Sequence, residues 1–204
     1  MKKTTVLSCD PGKTNFAFCL SEHELDGTRH KVRIIRSGIL ENTESLIRDL
    51  NSNKLPDIPL YREVSELVSE RHLDLFVAER FMSRGIKTGN TAEIISLAIM
   101  MLVSLIQRVY PNCDCALVTA AQWKKSFNGA VKPTNGGLDK LYKLARVSNH
   151  QLDAALIGLY AEGQRFETPL FQMIKNRRSR NIFLENLEAT SQTKLINRRK
   201  KRKN

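Results

Sequence analysis

Nothing in this chain has the cysteine spacing of a zinc site. The four cysteines, Cys9, Cys19, Cys113 and Cys115, fall in strand-like segments without paired ligand intervals. They read as small buried residues of a protein kept in a reducing, cytoplasmic compartment. No secretory leader is expected either: Lys2 and Lys3 run into Thr4, Thr5 and a short strand instead of a long apolar stretch. The longest apolar run, Ile94 to Ile106, is broken by Ser96 and Ser104 and is too short to span a membrane, so no membrane partner is expected. There is no internal repeat. Acidic residues are the scarce charge, 21 against 33 lysines and arginines, which leaves a net charge of +12.

That excess is unevenly placed. From Arg165 to the end there are 12 basic residues and 3 acids, +9, so the preceding 164 residues carry only 12 − 9 = +3. The chain divides on this basis into a nearly balanced body, residues 1–164, and a basic C-terminal extension, residues 165–204, ending in RRKKRKN. A polyanion is the natural partner of such an end, and nucleic acid is the commonest one. The alternative is a solvated end that only aids solubility.

The chain as a whole has 41% hydrophobic content, enough for one well-buried domain. Thr4 to Cys9 and Asn15 to Leu20 read as a hairpin turned by Pro11 and Gly12. KVRIIRSGIL, from Lys31 to Leu40, is a third strand rich in β-branched residues. Leu46 to Leu50 and Tyr61 to Glu70 look helical. LDLFVAE, Leu73 to Glu79, is short and unbroken in hydrophobicity, as a buried parallel strand is. Asn90 and Glu93 have capping-box spacing and open a long helix to Tyr110. Cys113 to Ala120 is a strand; Gln122 to Phe127, Leu138 to Arg146 and His150 to Gln164 are helices. A further helix over Ile182 to Ile196 fits within the extension. The order β-β-β-α-β-α-β-α predicts an α/β fold: a mixed five-stranded sheet of three antiparallel strands and two parallel additions, flanked by helices.

This order gives meaning to three acids. Asp10 ends the first strand, where a metal ligand, a phosphate-binding turn and a plain turn-former are all compatible with Asp-Pro-Gly. Glu79 ends a central strand. Asp153 lies in the first turn of the last helix of the body, three residues after His150 and on the same face. Carboxylates at neighbouring strand ends face one edge of the sheet, repel each other, and need a cation there. Oxygen donors with one imidazole suit Mg²⁺ or Mn²⁺, and two such ions about 4 Å apart drive in-line displacement at phosphorus.

Four stretches, LSCDPGKTNFAFC, DLFVAERFMSRG, VTAAQWKKSFNG and HQLDAALIGLYA, together resemble a RuvC-type Holliday junction resolvase, within the RNase H-like nuclease superfamily, over roughly Val6 to Gly163. The GKTNFAF turn is closer to organellar and viral relatives than to the usual bacterial one. The resemblance implies that Asp10, Glu79, His150 and Asp153 are the catalytic residues and hold two Mg²⁺ or Mn²⁺ ions. It implies cleavage of branched DNA, four-way junctions above all, by paired symmetric nicks that leave 5′-phosphates in recombination, repair or replication. It also implies a homodimer, with one face of the long apolar helix on the sheet and the other on a second subunit, and a nucleoid-associated or viral-replication location. The family's phenylalanine beyond the glutamate, which meets bases at the junction, maps to Phe81, one residue closer here; a core phenylalanine is the alternative. Phosphate-contact candidates are Lys13, Arg80, Arg84, Lys87, Lys124 and Lys125, joined in the tail by Arg198, Arg199, Lys200, Lys201, Arg202 and Lys203.

Other functions share parts of this pattern. An actin-like ATPase also opens on an Asp-x-Gly hairpin, but its second phosphate loop and adenosine-binding glycine pair are missing. A nuclease of the same fold acting on flaps, forks or RNA–DNA hybrids remains compatible. So does an inactive architectural DNA-binding protein, against which the four retained ligand positions argue.

Overall fold

Alternation with a period of two builds the central strands. In β1 (Lys2–Asp10), Val6 faces one core while Leu7 and Cys9 face the other, and all three are fully buried. The structure, a computed structural model, describes residues 2–12, 15–26, 29–40, 59–81, 91–130, 137–165, 174 and 176–191. The expected helix at 46–50, the loop over 82–90 and the chain after Ser191 lie outside these residues.

Strand β2 (Phe16–Asp26) returns antiparallel to β1, and β3 (Arg29–Leu40) pairs antiparallel with β2. Both outrun the expected strands, because the hairpins stay paired through polar ends that carry no hydrophobic signal. Helix α1 (Pro59–Ser69) precedes β4 (Leu75–Glu79), which lies parallel to β1, and β5 (Asp114–Val118) is parallel to β4. The sheet order is β3-β2-β1-β4-β5, the expected mixed five-stranded arrangement. Helix α2 (Thr91–Val109) covers one face together with α1. Helices α3 (Ala120–Ala130), α4 (Gly137–Leu144), α5 (Asn149–Arg165) and α6 (Arg177–Ala189) contribute to the core on the other face.

Two expectations need correction. Cys115 is exposed on β5, whereas Cys9, Cys19 and Cys113 are buried. Helix α2, apolar nearly all round, leaves part of its surface uncovered by its own chain: Leu97 is 44% and Met100 60% exposed. Its 19 residues are also long and apolar enough, by length and composition alone, to cross a membrane, which the shorter apolar run had not suggested. Burial of Ile95, Leu102 and Ile106 against the sheet is what a core helix shows.

Helix α6 lies within the segment expected as an extension, and it starts and stops earlier than the sequence pattern suggested. Asn176 caps it, its side chain accepting from the N–H groups of Arg178 and Ser179 at 2.9 and 3.2 Å. Phe183 and Leu187 enter the core beside β3, and the chain then forms a parallel bridge, Ser37 to Ser191.

Helix α5 crosses the sheet at close range. A Cβ on Gly158 would sit 2.7 Å from Ser8 Oγ and 3.2 Å from Ser8 Cβ. Gly158→Ala is therefore expected to cost about 1–3 kcal/mol by overpacking. Adding Ser8→Gly should recover part of that loss in urea denaturation; equal midpoints for Gly158→Ala and wild type would count against so tight a contact.

Candidate active site

Strand register brings the acids to one edge. Cys9 pairs with Ala78 across parallel β1 and β4, so Asp10 and Glu79 leave neighbouring strands at the same end of the sheet. Helix α5 delivers the other two residues. Its first turn is set by a reciprocal capping box: Ser148 Oγ accepts from the Gln151 N–H at 3.2 Å, and Gln151 Oε1 accepts from the Ser148 N–H at 3.3 Å. This box fixes where His150 and Asp153 project.

His150 Nδ1 and Asp10 Oδ2 lie 2.7 Å apart, a hydrogen bond that leaves Nε2 of the ring available. Asp153 Oδ1 accepts from the Tyr142 hydroxyl at 2.6 Å, and Lys124 Nζ stands 3.4 Å from Asp153 Oδ2. Glu79 Oε2 accepts from the Trp123 indole N–H at 2.7 Å. Burial pushes the Asp10 carboxyl up to about 6; the His150 hydrogen bond opposes the shift, and the charges of Asp153 and Glu79 add to it. Burial likewise raises Asp153, against the Tyr142 hydrogen bond and the Lys124 charge. Asp10, Glu79 and Asp153 thus share one field at the strand ends, as expected from their order in the sequence.

Among the described residues, no three His, Cys, Asp or Glu side chains are gathered closely enough to enclose an ion. Each carboxylate faces a nitrogen or hydroxyl donor of the chain instead. The donor chemistry nevertheless fits a hard divalent cation: three carboxylates and one imidazole, with Asp10 and Asp153 largely desolvated and mutually repelling. Asp10, Glu79, His150 and Asp153 are the residues that would hold it.

The other candidates divide. Lys124 lies inside the site, 4.9 Å from the centre of the Trp123 ring as well as near Asp153. Arg80 and Lys125 are exposed. Phe81 is half-buried and packs against the core on the α2 side. Lys13, Arg84, Lys87 and Arg198 to Lys203 lie outside the described residues. Sequence reasoning missed the roles of Tyr142 and Trp123, whose partners come from distant elements. It also missed Gln151, although Ser148-Asn-His-Gln151 is a legible capping-box pattern.

Compared by sequence, the chain matches no family model and no curated protein. Compared by structure, it is similar to Thermus thermophilus RuvC, with a TM-score of 0.56 at 16% identity, over 80% of this chain and 97% of that one. It is also similar to T. thermophilus RuvC in complex with a Holliday junction substrate, with a TM-score of 0.54 at 13% identity, over 81% of this chain and 97% of that one. The fold is therefore RuvC-type and RNase H-like.

Proposed function

We propose that this protein is a metal-dependent endonuclease that resolves branched DNA, four-way junctions in particular, by paired symmetric nicks. The observation that carries the reading is the meeting of Asp10, Glu79 and the His150–Asp153 pair at one sheet edge of this fold. Divalent cations held there by Asp10, Glu79, His150 and Asp153 would supply Lewis-acid activation of water and of the scissile phosphate. Asp10, Glu79 and Asp153 would supply oxygen ligands, and His150 a nitrogen ligand through Nε2. His150 holds Asp10 in position through Nδ1. Trp123 and Tyr142 orient Glu79 and Asp153 from behind. Lys124 and the exposed Arg80 and Lys125 meet DNA phosphates. The products carry 5′-phosphates.

The test is cleavage of a four-way junction, a flap, an RNA–DNA hybrid and a linear duplex, each with Mg²⁺, Mn²⁺ or EDTA. Metal-dependent symmetric nicking of the junction is expected. Preference for another branch or for the hybrid would move the substrate assignment, and no cleavage of any substrate would remove the enzyme assignment. Trp123→Phe keeps the buried ring but removes the N–H that holds Glu79. It is expected to weaken Mn²⁺ binding about 10–100-fold, read by calorimetry.

Two symmetric nicks require two sites related by a dyad, so the active species is a homodimer. Leu97 and Met100 on α2 and Leu117 on β5, all exposed, are the face for the second copy. Leu117 pairs in register with Ala78, which packs on the α2 side, so the three residues belong to one side of the sheet. Leu97→Glu with Met100→Glu should yield a monomer in sedimentation that binds junctions without paired nicking; an unchanged mass would relocate the interface.

Deletion of residues 197–204 should flatten the dependence of log K on log salt by roughly 3 units if half of its six cations meet phosphates. An unchanged slope would return that end to a solvated role.

A further inference from the structure

The two oxygens of Asp153 face neighbours of different kinds. Oδ1 accepts from the Tyr142 hydroxyl at 2.6 Å, and the Tyr142 ring packs against the core. Oδ2 faces the Lys124 ammonium at 3.4 Å, and the Lys124 side chain is 41% exposed against 11% for Asp153. Tyr142 is therefore a fixed partner and Lys124 a displaceable one. The flexible lysine stem can swing toward solvent without opening the core. Beside the acid, its Nζ also lies 4.9 Å from the centre of the Trp123 ring, a cation–π contact. The same indole donates its N–H to Glu79.

The start of α3 sets this arrangement. Thr119 and Gln122 form a reciprocal cap: Thr119 Oγ1 accepts from the Gln122 N–H at 3.3 Å, and Gln122 Oε1 accepts from the Thr119 N–H at 2.9 Å. Trp123 follows at once and is fully buried. Two consecutive residues of one capped helix thus reach two different acids, Trp123 on Glu79 and Lys124 on Asp153.

An ammonium and a divalent ion on one carboxylate oxygen repel each other. The repulsion is strongest where the acids are desolvated, as Asp10 and Asp153 are. From this geometry we infer that Lys124 is an exchangeable counter-ion: it neutralises Asp153 until a divalent cation is held at the acid edge, and then passes to a phosphate of the DNA backbone. Cation and DNA therefore bind with positive coupling. Holding the cation frees the ammonium that the phosphate takes, and the phosphate draws off the ammonium that opposes the cation. The inference rests on the nuclease reading for its cation and its DNA.

Two measurements on the full chain test it, neither of which needs cleavage. In the first, Mn²⁺ binding is followed by calorimetry without DNA. Lys124→Gln should bind Mn²⁺ about tenfold more tightly than wild type, a size usual for coupled sites. Lys124→Arg keeps the charge and should restore the weaker binding of wild type. Lys31→Gln removes the same charge from an exposed position at the far end of β3 and should leave the affinity unchanged. Equal or weaker Mn²⁺ binding by Lys124→Gln would overturn the exchange. In the second, binding of a four-way junction with hydrolysis-resistant phosphorothioate linkages is compared with and without Mn²⁺. The gain in junction affinity brought by Mn²⁺ should be about fivefold smaller in Lys124→Gln than in wild type. An equal gain would overturn the transfer to phosphate. A protein that shows both effects yet never cuts DNA keeps the exchange and loses the nuclease reading. One that cuts but binds Mn²⁺ equally with and without Lys124 loses the exchange alone, and one that binds no Mn²⁺ in either form loses both.

Discussion

Asp10→Asn is expected to lower junction nicking by more than about 100-fold, the upper end of what loss of a mere supporting residue costs a metal site, while leaving junction binding in EDTA within about twofold of wild type, since the lost group is a cation ligand and not a phosphate contact. The same substitution should stabilise the protein when divalent cations are absent. The Asp10 carboxyl is raised from 3.8 to about 6, with burial as the main cause. A carboxyl raised in the folded state favours folding while protonated, so this contribution is intact below about pH 4 and is lost as pH rises from there through about 6. Above that window the ionised group costs on the order of 2–3 kcal/mol, which asparagine avoids. Metal-free Asp10→Asn should therefore melt above wild type at pH 8 and match it near pH 4. Mn²⁺ should raise the melting temperature of wild type at pH 8 and leave the variant nearly unmoved. Undiminished nicking by Asp10→Asn would dissolve the site assignment; equal melting curves at pH 8 would dissolve its electrostatic explanation.

Phe183→Ala is expected to cost about 3–5 kcal/mol, and Leu187→Ala about 2–5 kcal/mol, in urea denaturation. Phe183 is 4% exposed and Leu187 fully buried, in one cluster with Val6 of the central strand and Trp123 beside the site. Each truncation opens a cavity beside β3 that the rigid sheet cannot close. The single transition should shift to lower urea without splitting, because α6 shares its core with the sheet. A first transition confined to α6, followed by unfolding of an unperturbed body, would show instead that this helix is an appendage.

Much of the candidate site's geometry follows from sequence order alone. Asp10 at the end of an apolar strand, Glu79 at the end of an unbroken one, and His150 and Asp153 one turn apart on a helix are local patterns, and their order β-β-β-α-β implies a shared edge before any contact is seen. The sheet, its mixed direction and the described helices of the body were legible for the same reason: period-two and helical periodicities arise within a few residues of chain. The tertiary structure decided what depends on partners far apart in sequence. Tyr142 binding Asp153 and Trp123 binding Glu79 require helices to meet strand ends, and no local pattern encodes that meeting. The exposed Leu97 and Met100 look the same in sequence as the buried Leu102 and Ile106, because a helix apolar on every side does not say which face its own chain covers. The basic composition from Arg165 onward reads as a separate basic extension, since charge dominates any average over those residues. Two apolar side chains, Phe183 and Leu187, outweigh that average once β3 offers them a surface. Docking then places α6 against the sheet, because burial acts on individual side chains while composition only counts them.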